Sequence, residues 1–271
     1  PSANVVTKPN TTISSCTMHE SYAKNVTVKS TGLLNLLSSN NRTVTDLVNI
    51  DAGGIFNVKN NGSLIQINNV ANTVAGTFNM ERITQPMYKL DYTYWGSPIM
   101  QSSGFTLGSL SSGSSARYTW TPSVSNVSGI WTSAASTAVM VPAKGYIVRA
   151  PDTFSSNPAT KVTYTGNFIG SPNNGDVTIP ITYGTMGAGA TNDKWNLISN
   201  PYPSAVNAAT FLNLASNAAV IGGTIYFWTH NSPPAAAFPD PFSGTYAINY
   251  PATDYGSWNK LGGTGTIALS G

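Results

Sequence analysis

The segment Ile55-Phe-Asn-Val-Lys-Asn-Asn-Gly-Ser-Leu-Ile-Gln-Ile67 places a short apolar run on each side of a tight turn. The turn is Asn60-Asn-Gly62, because asparagine and glycine adopt the left-handed backbone conformations that tight turns require. Apolar and polar residues alternate within the runs, which is typical of half-buried β-strands. The segment therefore predicts two strands, which either pair as a hairpin or lie on successive faces of a β-solenoid.

The same pattern of apolar runs and turn-forming residues extends over the first third of the chain. The other runs there are Asn25–Lys29, Leu33–Leu37 and Val44–Ile50. Strand centres that recur about every 8 to 12 residues are typical of solenoids, sandwiches and barrels. We predict a short β-solenoid, similar to a β-helix, over residues 1–70, and a hairpin meander is the open alternative.

The sequence changes after about residue 70, where the predicted strands become longer and more aromatic. These strands are Met87–Trp95, Arg117–Pro122, Gly145–Ala150, Lys161–Ile169, Asp176–Tyr183, Trp195–Ser199 and Gly223–His230. Proline is frequent at their borders, where a missing N–H group ends a hydrogen-bonded ladder. These features predict an antiparallel β-sandwich of the jelly-roll type over residues 71–271, and we expect it to be incomplete at the C-terminus.

Helical patterns are scarce in this chain. The best candidate is Ser204–Ala219, with Ser204 as the N-cap and an apolar side formed by Phe211, Leu212 and Leu214. All other segments with a clear pattern read as strands. The sequence as a whole therefore predicts an all-β protein.

Charged residues make up only 8% of the chain, against the roughly 25% that is usual for soluble domains. Its 10 carboxylates and 2 histidines are spread thinly, whereas catalysis generally needs ionisable side chains held close together. We therefore expect no enzymatic activity and no cofactor. The net charge of +3 comes without a cluster of Lys or Arg, so nucleic acid is not an expected partner.

Two further absences in the sequence limit the possibilities. Cys16 is the single cysteine, so the chain cannot form an intramolecular disulfide. No apolar run approaches the roughly 18 residues of a membrane-spanning helix, and we expect no membrane span.

The histidines and carboxylates do not form a recognisable catalytic or metal-binding motif. His19-Glu20 begins like the helix of a zinc protease, but Ala23 stands where the second histidine is needed, and His230 is far away. No metal site is therefore expected. The isolated acids are expected to serve in turns or strands; they are Asp91, Asp193, Asp240 and Asp254. A lyase or hydrolase that uses Asp91 and Asp240 is the weakest of the alternatives.

Aromatic side chains are the better candidates for a binding site. Most of them are expected in the core, including those of Tyr88–Trp95 and Tyr226–Trp228. Three others lie in loop sequence rich in Ser, Thr and Asn, where large rings can stack on the faces of sugars. The candidate ligand-stacking residues are Trp131, Tyr255 and Trp258.

A series of longer phrases carries a family resemblance over roughly residues 26–263. The phrases are Asn61–Ala71, Glu81–Tyr88, Leu90–Pro98, Met140–Pro151, Trp195–Ala205 and Thr224–Asn231. In this order they resemble the large, adhesin-like secreted surface proteins of Bacteroidota that the type IX secretion system exports. The resemblance brings no known active-site residues with it.

The resemblance implies export across the outer membrane by the type IX secretion machinery, followed by secretion or attachment at the outer face of that membrane. Together with the low charge, it leads us to expect a non-enzymatic extracellular surface protein, either adhesin-like or structural. Surface glycans or other surface proteins are the expected ligands. The alternative is a carbohydrate-binding module of a secreted polysaccharide-degrading protein.

Overall fold

The structure, a computed structural model, describes residues 5–7, 20–124, 127–183, 194–238 and 249–264. Within these ranges β-strands dominate and helices are few and short, which confirms the predicted all-β class. In chain order the strands are β1 (Val5–Thr7), β2 (Glu20–Ala23), β3 (Val26–Val28), β4 (Leu33–Leu36), β5 (Asn41–Val44), β6 (Val48–Ile50), β7 (Ile55–Val58), β8 (Ser63–Gln66), β9 (Thr73–Val74), β10 (Thr77–Ile83), β11 (Tyr92–Trp95), β12 (Arg117–Val124), β13 (Val127–Ser133), β14 (Tyr146–Arg149), β15 (Thr165–Ile169), β16 (Thr224–Trp228), β17 (Tyr255–Asn259) and β18 (Gly262–Thr264).

Strands β1 to β10 form parallel ladders in the described part of the chain. The strand orders are β1-β3-β6-β9, β2-β5-β8 and β4-β7-β10. Val26 pairs with Val48 and Leu33 pairs with Ile55, at the same 22-residue separation that joins Asn35 to Asn57. Each strand therefore pairs with its equivalent in the next repeat and not with the strand that follows it in the chain.

This register follows from a repeated sequence that the pattern of single strands does not reveal. Gly32-Leu-Leu-Asn-Leu36, Gly54-Ile-Phe-Asn-Val58 and Gly76-Thr-Phe-Asn-Met80 recur at intervals of 22 residues. The third and fifth side chains of each copy are buried, because alternate residues of a strand point to the same face. The rings of Phe56 and Phe78 meet edge to face, with their centroids 5.6 Å apart.

The asparagine and glycine of the repeat tie its copies together. Nδ2 of Asn57 donates to Oδ1 of Asn35 across 2.9 Å, and Asn79 donates to Asn57 in turn. Gly54 has no room for a side chain, because a Cβ atom there would lie 2.8 Å from the carbonyl oxygen of Val28. Close backbone approach and the amide ladder thus fix the same register.

The turn at Asn60-Asn-Gly62 is present, and Asn61 has the left-handed φ of 62° that such a turn favours. It joins strands that do not pair with each other. In this fully described stretch β7 pairs with β4 and β10, whereas β8 pairs with β5. The hairpin alternative is therefore wrong at this turn.

The run Val44–Ile50 was expected to be one strand, and this prediction was wrong. The corner Thr45–Leu47 separates β5 from β6. At this corner the amide of Asp46 donates to the carbonyl of Lys24 across 2.8 Å. The chain changes direction there because the preceding repeat supplies partners for its backbone, a contact that a local pattern does not encode.

Strand β10 connects the parallel ladders to the antiparallel part of the protein. One of its edges pairs in parallel with β7, and the other pairs antiparallel with β15. Parallel pairing thus continues past residue 70, where the composition changes, to Met80. Met80 pairs with Phe168, and one buried hydrophobic cluster extends from Ala23 to Phe168. The two regions therefore share a sheet and a core.

The described residues after β10 form two further, antiparallel sheets, in the orders β11-β14-β12-β13 and β16-β17-β18. The segments Asp176–Tyr183 and Trp195–Ser199 were wrongly predicted as strands. Pro180 cannot donate to a ladder, and Ile198 makes only an isolated bridge to Lys144.

Strands β11 and β15 begin later than the runs Met87–Trp95 and Lys161–Ile169 predict. Between Tyr88 and Asp91 the chain makes a turn, in which the amide of Asp91 donates to the Tyr88 carbonyl across 3.0 Å. Asp91 was expected within the strand, and this was wrong because the turn places it just before β11.

The described ranges contain short helices, α1 (Leu107–Leu110), α2 (Ala208–Asn213) and α3 (Ala215–Ala218). The last two replace the single predicted helix, and Leu214 separates them with an extended ψ of 126°. None of the helices in these ranges is long and apolar enough to cross a membrane.

The start of α2 differs from the prediction. The side chain of Asn207 accepts a hydrogen bond from the amide of Thr210 at 2.9 Å, so Asn207 is the N-cap and the choice of Ser204 was wrong. The segment before it covers the free edge of β8, where the amide of Leu64 donates to the Pro203 carbonyl across 2.8 Å. A covered edge cannot pair with a strand of another molecule.

Candidate functional site

An aromatic cluster fills the junction between the two antiparallel sheets. Alternate residues of β11, β12 and β16 point to one face of their strands, which directs their rings toward the junction. We define the aromatic cluster as Tyr92, Tyr94, Tyr118, Trp120, Trp131, Trp228, Tyr250 and Tyr255. Ring centroids of neighbouring members lie 5.0 to 6.5 Å apart, within the range of favourable aromatic pairs.

Tyr94 lies at the centre of the aromatic cluster. Its ring stacks on Trp228 at 6.3 Å and contacts Trp131 at 6.2 Å. Its hydroxyl group shares a 2.5 Å hydrogen bond with the hydroxyl group of Tyr255. Burial raises the pKa of Tyr94 well above its usual range and also raises that of Tyr255, so both phenols stay neutral.

Trp228 connects the second sheet to the first. Its ring packs edge to face on Tyr250 at 5.1 Å and on Tyr255 at 5.0 Å. Its indole Nε1 donates to the carbonyl of Tyr92 across 3.0 Å. The hydroxyl group of Tyr250 donates to the carbonyl of Leu90. Polar tips that find backbone partners let these large rings pack inside without an energetic penalty.

The aromatic cluster continues to the surface through Trp120. Trp120 packs on Trp131 at 5.0 Å, and its Nε1 donates to the carbonyl of Trp195 across 2.8 Å. The ring of Trp195 contacts that of Tyr226 at 4.8 Å, and these two residues are 39% and 45% exposed. We call them the exposed aromatic pair. Sequence reasoning missed this pair, because Trp195 was assigned to a strand and Tyr226 to the core.

The structure brings together two of the three predicted ligand-stacking residues. Trp131 and Tyr255 both contact the ring of Tyr94, from different sheets. Trp258 pairs with Ile225 of β16 and comes three residues after Tyr255 in β17. The side chains of Trp258 and Tyr255 therefore lie on opposite faces of the strand. Its Nε1 is buried without a hydrogen-bond partner among the described residues. Ligand stacking by these residues stays a prediction.

The buried carboxyl group of Asp91, which directly precedes Tyr92 of the aromatic cluster, contacts the amine of Lys161. Asp91 is 0% exposed, and its Oδ2 accepts a hydrogen bond from the amide of Tyr88 at 3.1 Å. The same oxygen lies 3.4 Å from Nζ of Lys161, whose side chain is 25% exposed. Its other oxygen, Oδ1, is buried without a partner among the described residues. Burial raises the pKa of Asp91 more than Lys161 and the hydrogen bond from Tyr88 lower it.

His230 belongs to the same buried region. Burial lowers the pKa of its imidazole, although Asp91 acts in the opposite direction. The ring hydrogen-bonds to the backbone of Tyr92, and Nε2 is buried without a partner among the described residues. The imidazole is therefore neutral at pH 7, with an unused nitrogen atom inside the protein.

Of the other acids that the sequence singles out, Asp254 lies within the described residues. Asp254 is buried and accepts hydrogen bonds at 2.9 Å from both the amide and the hydroxyl group of Ser232. The sequence predicts a local turn role for Asp254, whereas these hydrogen bonds join it to a residue 22 positions away. Asp193 and Asp240 lie outside the described residues. Among the residues that are described, no group of three His, Cys, Asp or Glu side chains is arranged to hold a metal ion.

Comparison with known proteins gives the family of the chain. No curated protein and no solved structure matches it. The family model described as "Domain of unknown function (DUF8693)" matches residues 2–270, almost the whole sequence. The chain therefore belongs to the DUF8693 family.

Proposed function

We propose that this chain is a non-enzymatic, adhesin-like or structural module of an extracellular surface protein. The observation that carries the proposal is the continuous β scaffold, in which β10 belongs to both the parallel and the antiparallel part. A scaffold with one shared core resists bending between its parts, which suits a protein that holds a ligand or a neighbour away from the cell. The low charge and the hydroxyl-rich and amide-rich loops fit a surface of this kind.

The proposal includes a finer description of the fold. The three parallel ladders wrap around one axis as a short β-solenoid, which comprises the described part of the first 70 residues and continues into β10. The antiparallel sheets form a sandwich of the jelly-roll type over the described residues that follow. Contacts between equivalent positions support the solenoid: Lys29 with Asp51 at 3.1 Å, Lys59 with Glu81 at 3.3 Å, and Asn68 with Asp46 at 2.7 Å. Each such surface contact is weak by itself, so the register depends mainly on the buried side chains, the amide ladder and the close backbone approach.

The route to the cell surface is proposed from the sequence resemblance. The chain would be a cargo of the type IX secretion machinery and would reside on the outer face of the outer membrane or in the medium. Deletion of the gene is expected to reduce attachment of the cells to surfaces, and the intact gene should restore it. Unchanged attachment and gliding, together with hydrolysis of a polysaccharide by the purified chain, would overturn the proposal.

A carbohydrate-binding module is the second candidate, and the exposed aromatic pair favours it. Exposed rings of tryptophan and tyrosine bury the apolar face of a sugar while their polar tips stay in water. A glycan array with the purified chain tests this candidate. Trp195→Ala and Trp131→Ala should weaken binding, whereas Trp258→Ala, on the opposite face of β17, is the matched control. The candidate fails if no glycan binds, or if all three variants bind equally.

A further inference from the structure

The contact between Lys161 and Asp91 is held in place by backbone hydrogen bonds on both sides. Asp91 is fixed by the turn in which its amide donates to the Tyr88 carbonyl across 3.0 Å. Lys161 precedes Val162, which exchanges two hydrogen bonds with Met87, at 2.9 and 3.0 Å. The amine and the carboxyl group, 3.4 Å apart, therefore do not depend on flexible side chains alone to meet.

The carboxyl group of this pair is shielded from water, whereas the side chain of Lys161 is 25% exposed. Nζ of Lys161 lies 5.8 Å from the ring centroid of Tyr88, which is itself buried. The carboxyl group of Asp91 is fully buried, and its desolvation raises its pKa toward the neutral acid. A lysine that transfers its proton to such an acid becomes a neutral amine, which is the nucleophilic form.

We propose that Lys161 and Asp91 form an intramolecular isopeptide bond. The lone pair of neutral Nζ attacks Cγ of the protonated carboxyl group, and a C–N bond forms. A proton then moves from nitrogen to one hydroxyl group of the tetrahedral intermediate, the C–O bond breaks, and one water molecule leaves. Amine and acid thus give amide and water, with no oxidant or other reactant.

His230 carries the proton in this reaction. Its imidazole is buried in the same region as Asp91, and its Nε2 has no hydrogen-bond partner among the described residues. A neutral imidazole can accept the proton from the attacking nitrogen and return it to the leaving hydroxyl group. Fixed geometry raises the effective concentration of the amine, and burial of the carboxyl group favours the amide over its hydrolysis.

The bond would give this chain a covalent link that its single cysteine cannot provide. It would join the turn before β11 to the segment before β15, and thus the antiparallel sheet of β11 to the sheet that contains β10. A cross-link between distant residues restricts the unfolded chain, by the same reasoning that applies to disulfides.

The intact mass of the purified, folded chain, measured after denaturation, tests the proposal. The expected mass is that of the sequence minus one water molecule. Trypsin should fail to cleave after Lys161, and the peptide that contains Asp91 should be found joined to the one that contains Lys161. A full, unmodified mass with normal cleavage after Lys161 would show an ordinary ion pair and overturn the proposal.

Matched variants locate the bond. Lys161→Arg keeps the positive charge but cannot be acylated in this way, and Asp91→Ala removes the carboxyl group, so both should show the full mass. Lys89→Arg, close to Asp91 in sequence, should still lose one water molecule. Loss of water that persists in Lys161→Arg overturns the proposal, because it would come from another site. His230→Asn should slow the loss of water, and an unchanged rate would contradict the role of His230.

Discussion

At the scale of single residues, the amide ladder of Asn35, Asn57 and Asn79 fixes the register of the parallel strands. Asn57 donates to Asn35 and accepts from Asn79, whereas Asn35 has only one of these contacts. We predict that Asn57→Ala lowers the free energy of unfolding by about 1 to 3 kcal/mol, because it removes the partners of two polar groups. Asn35→Ala should cost less. Urea unfolding of both variants checks this, and equal losses would contradict it.

The glycine of the repeat allows an even closer contact. A Cβ atom on Gly76 would lie 2.4 Å from the carbonyl oxygen of Gly54, and backbone atoms cannot yield as a side chain can. Gly76→Ala should therefore destabilise the fold by about 1 to 3 kcal/mol. Gly222, with no atom within 4 Å of the corresponding position, is the matched control. Thermal unfolding measures the loss of stability in both variants. An equal loss for Gly76→Ala and Gly222→Ala would contradict the close backbone contact at Gly76.

The buried imidazole of His230 makes stability depend on pH. Burial lowers its pKa from 6.5, so the unfolded chain binds a proton more readily than the folded chain. Stability should thus be lost as the pH falls from about 6.5 toward the lower pKa of the folded state. Asp91, where it remains a free carboxyl group, has a raised pKa and acts in the opposite direction, so the comparison must be made between variants.

His230→Asn tests this contribution in samples whose intact masses show the same extent of isopeptide bonding, since asparagine tolerates the positive φ of 40° found at this position. The unfolding free energy of the variant should change less between pH 7.5 and pH 5, values on either side of the usual histidine pKa of about 6.5. Parallel pH curves for the two proteins would be inconsistent with a neutral buried imidazole.

At the scale of elements, helix α2 offers the sharpest contrast between sequence and structure. Asn207→Ala removes the hydrogen bond to the amide of Thr210 and should cost about 1 kcal/mol. Ser204→Ala should have little effect, because the hydrogen bond that Asn200 makes there goes to the backbone carbonyl of Ser204. Denaturant unfolding distinguishes the two variants. A greater loss of unfolding free energy for Ser204→Ala would instead support Ser204 as the N-cap, as the sequence predicts.

Strand positions could be predicted from the sequence wherever local alternation decides them. Val26–Val28, Leu33–Leu36 and Ile55–Val58 all fall within the predicted runs. Strand partners could not be predicted in this way, because pairing depends on residues 22 positions away. The signal was nevertheless present in the recurring glycine and asparagine of the repeat.

The candidate site was predictable only in part, for a similar reason. Sequence composition drew attention to Trp131 and Tyr255, which lie in β13 and β17 and not in loops as expected, and the structure places both around Tyr94. Trp195 and Tyr226 are 31 positions apart in sequence, and neither strand periodicity nor loop composition indicates that their rings meet. Only the fold brings that pair to the surface.

At the scale of the whole molecule, the amino-acid composition changes near residue 70, but the strand pairing and the hydrophobic core continue across this point. Parallel pairing passes through this point into β10, and Met80 joins the parallel ladder to β15. The hydrophobic core likewise includes residues from both sides. We therefore expect one cooperative unit, although the sequence suggests two domains.

The distribution of tryptophan makes this expectation testable without any substitution. All six tryptophans lie in the antiparallel part; they are Trp95, Trp120, Trp131, Trp195, Trp228 and Trp258. Their fluorescence therefore reports mainly on that part, although Trp95 also packs against the shared core. Hydrogen exchange of the amides in residues 26–66 reports on the parallel ladders.

Urea unfolding followed by both signals in the same samples tests the continuous scaffold most directly. The shared strand and core predict that fluorescence and hydrogen exchange change together, with one midpoint, as in a single cooperative transition. Two separate midpoints, with the parallel ladders still protected after the tryptophans are exposed or the reverse, would contradict a scaffold that is continuous through β10.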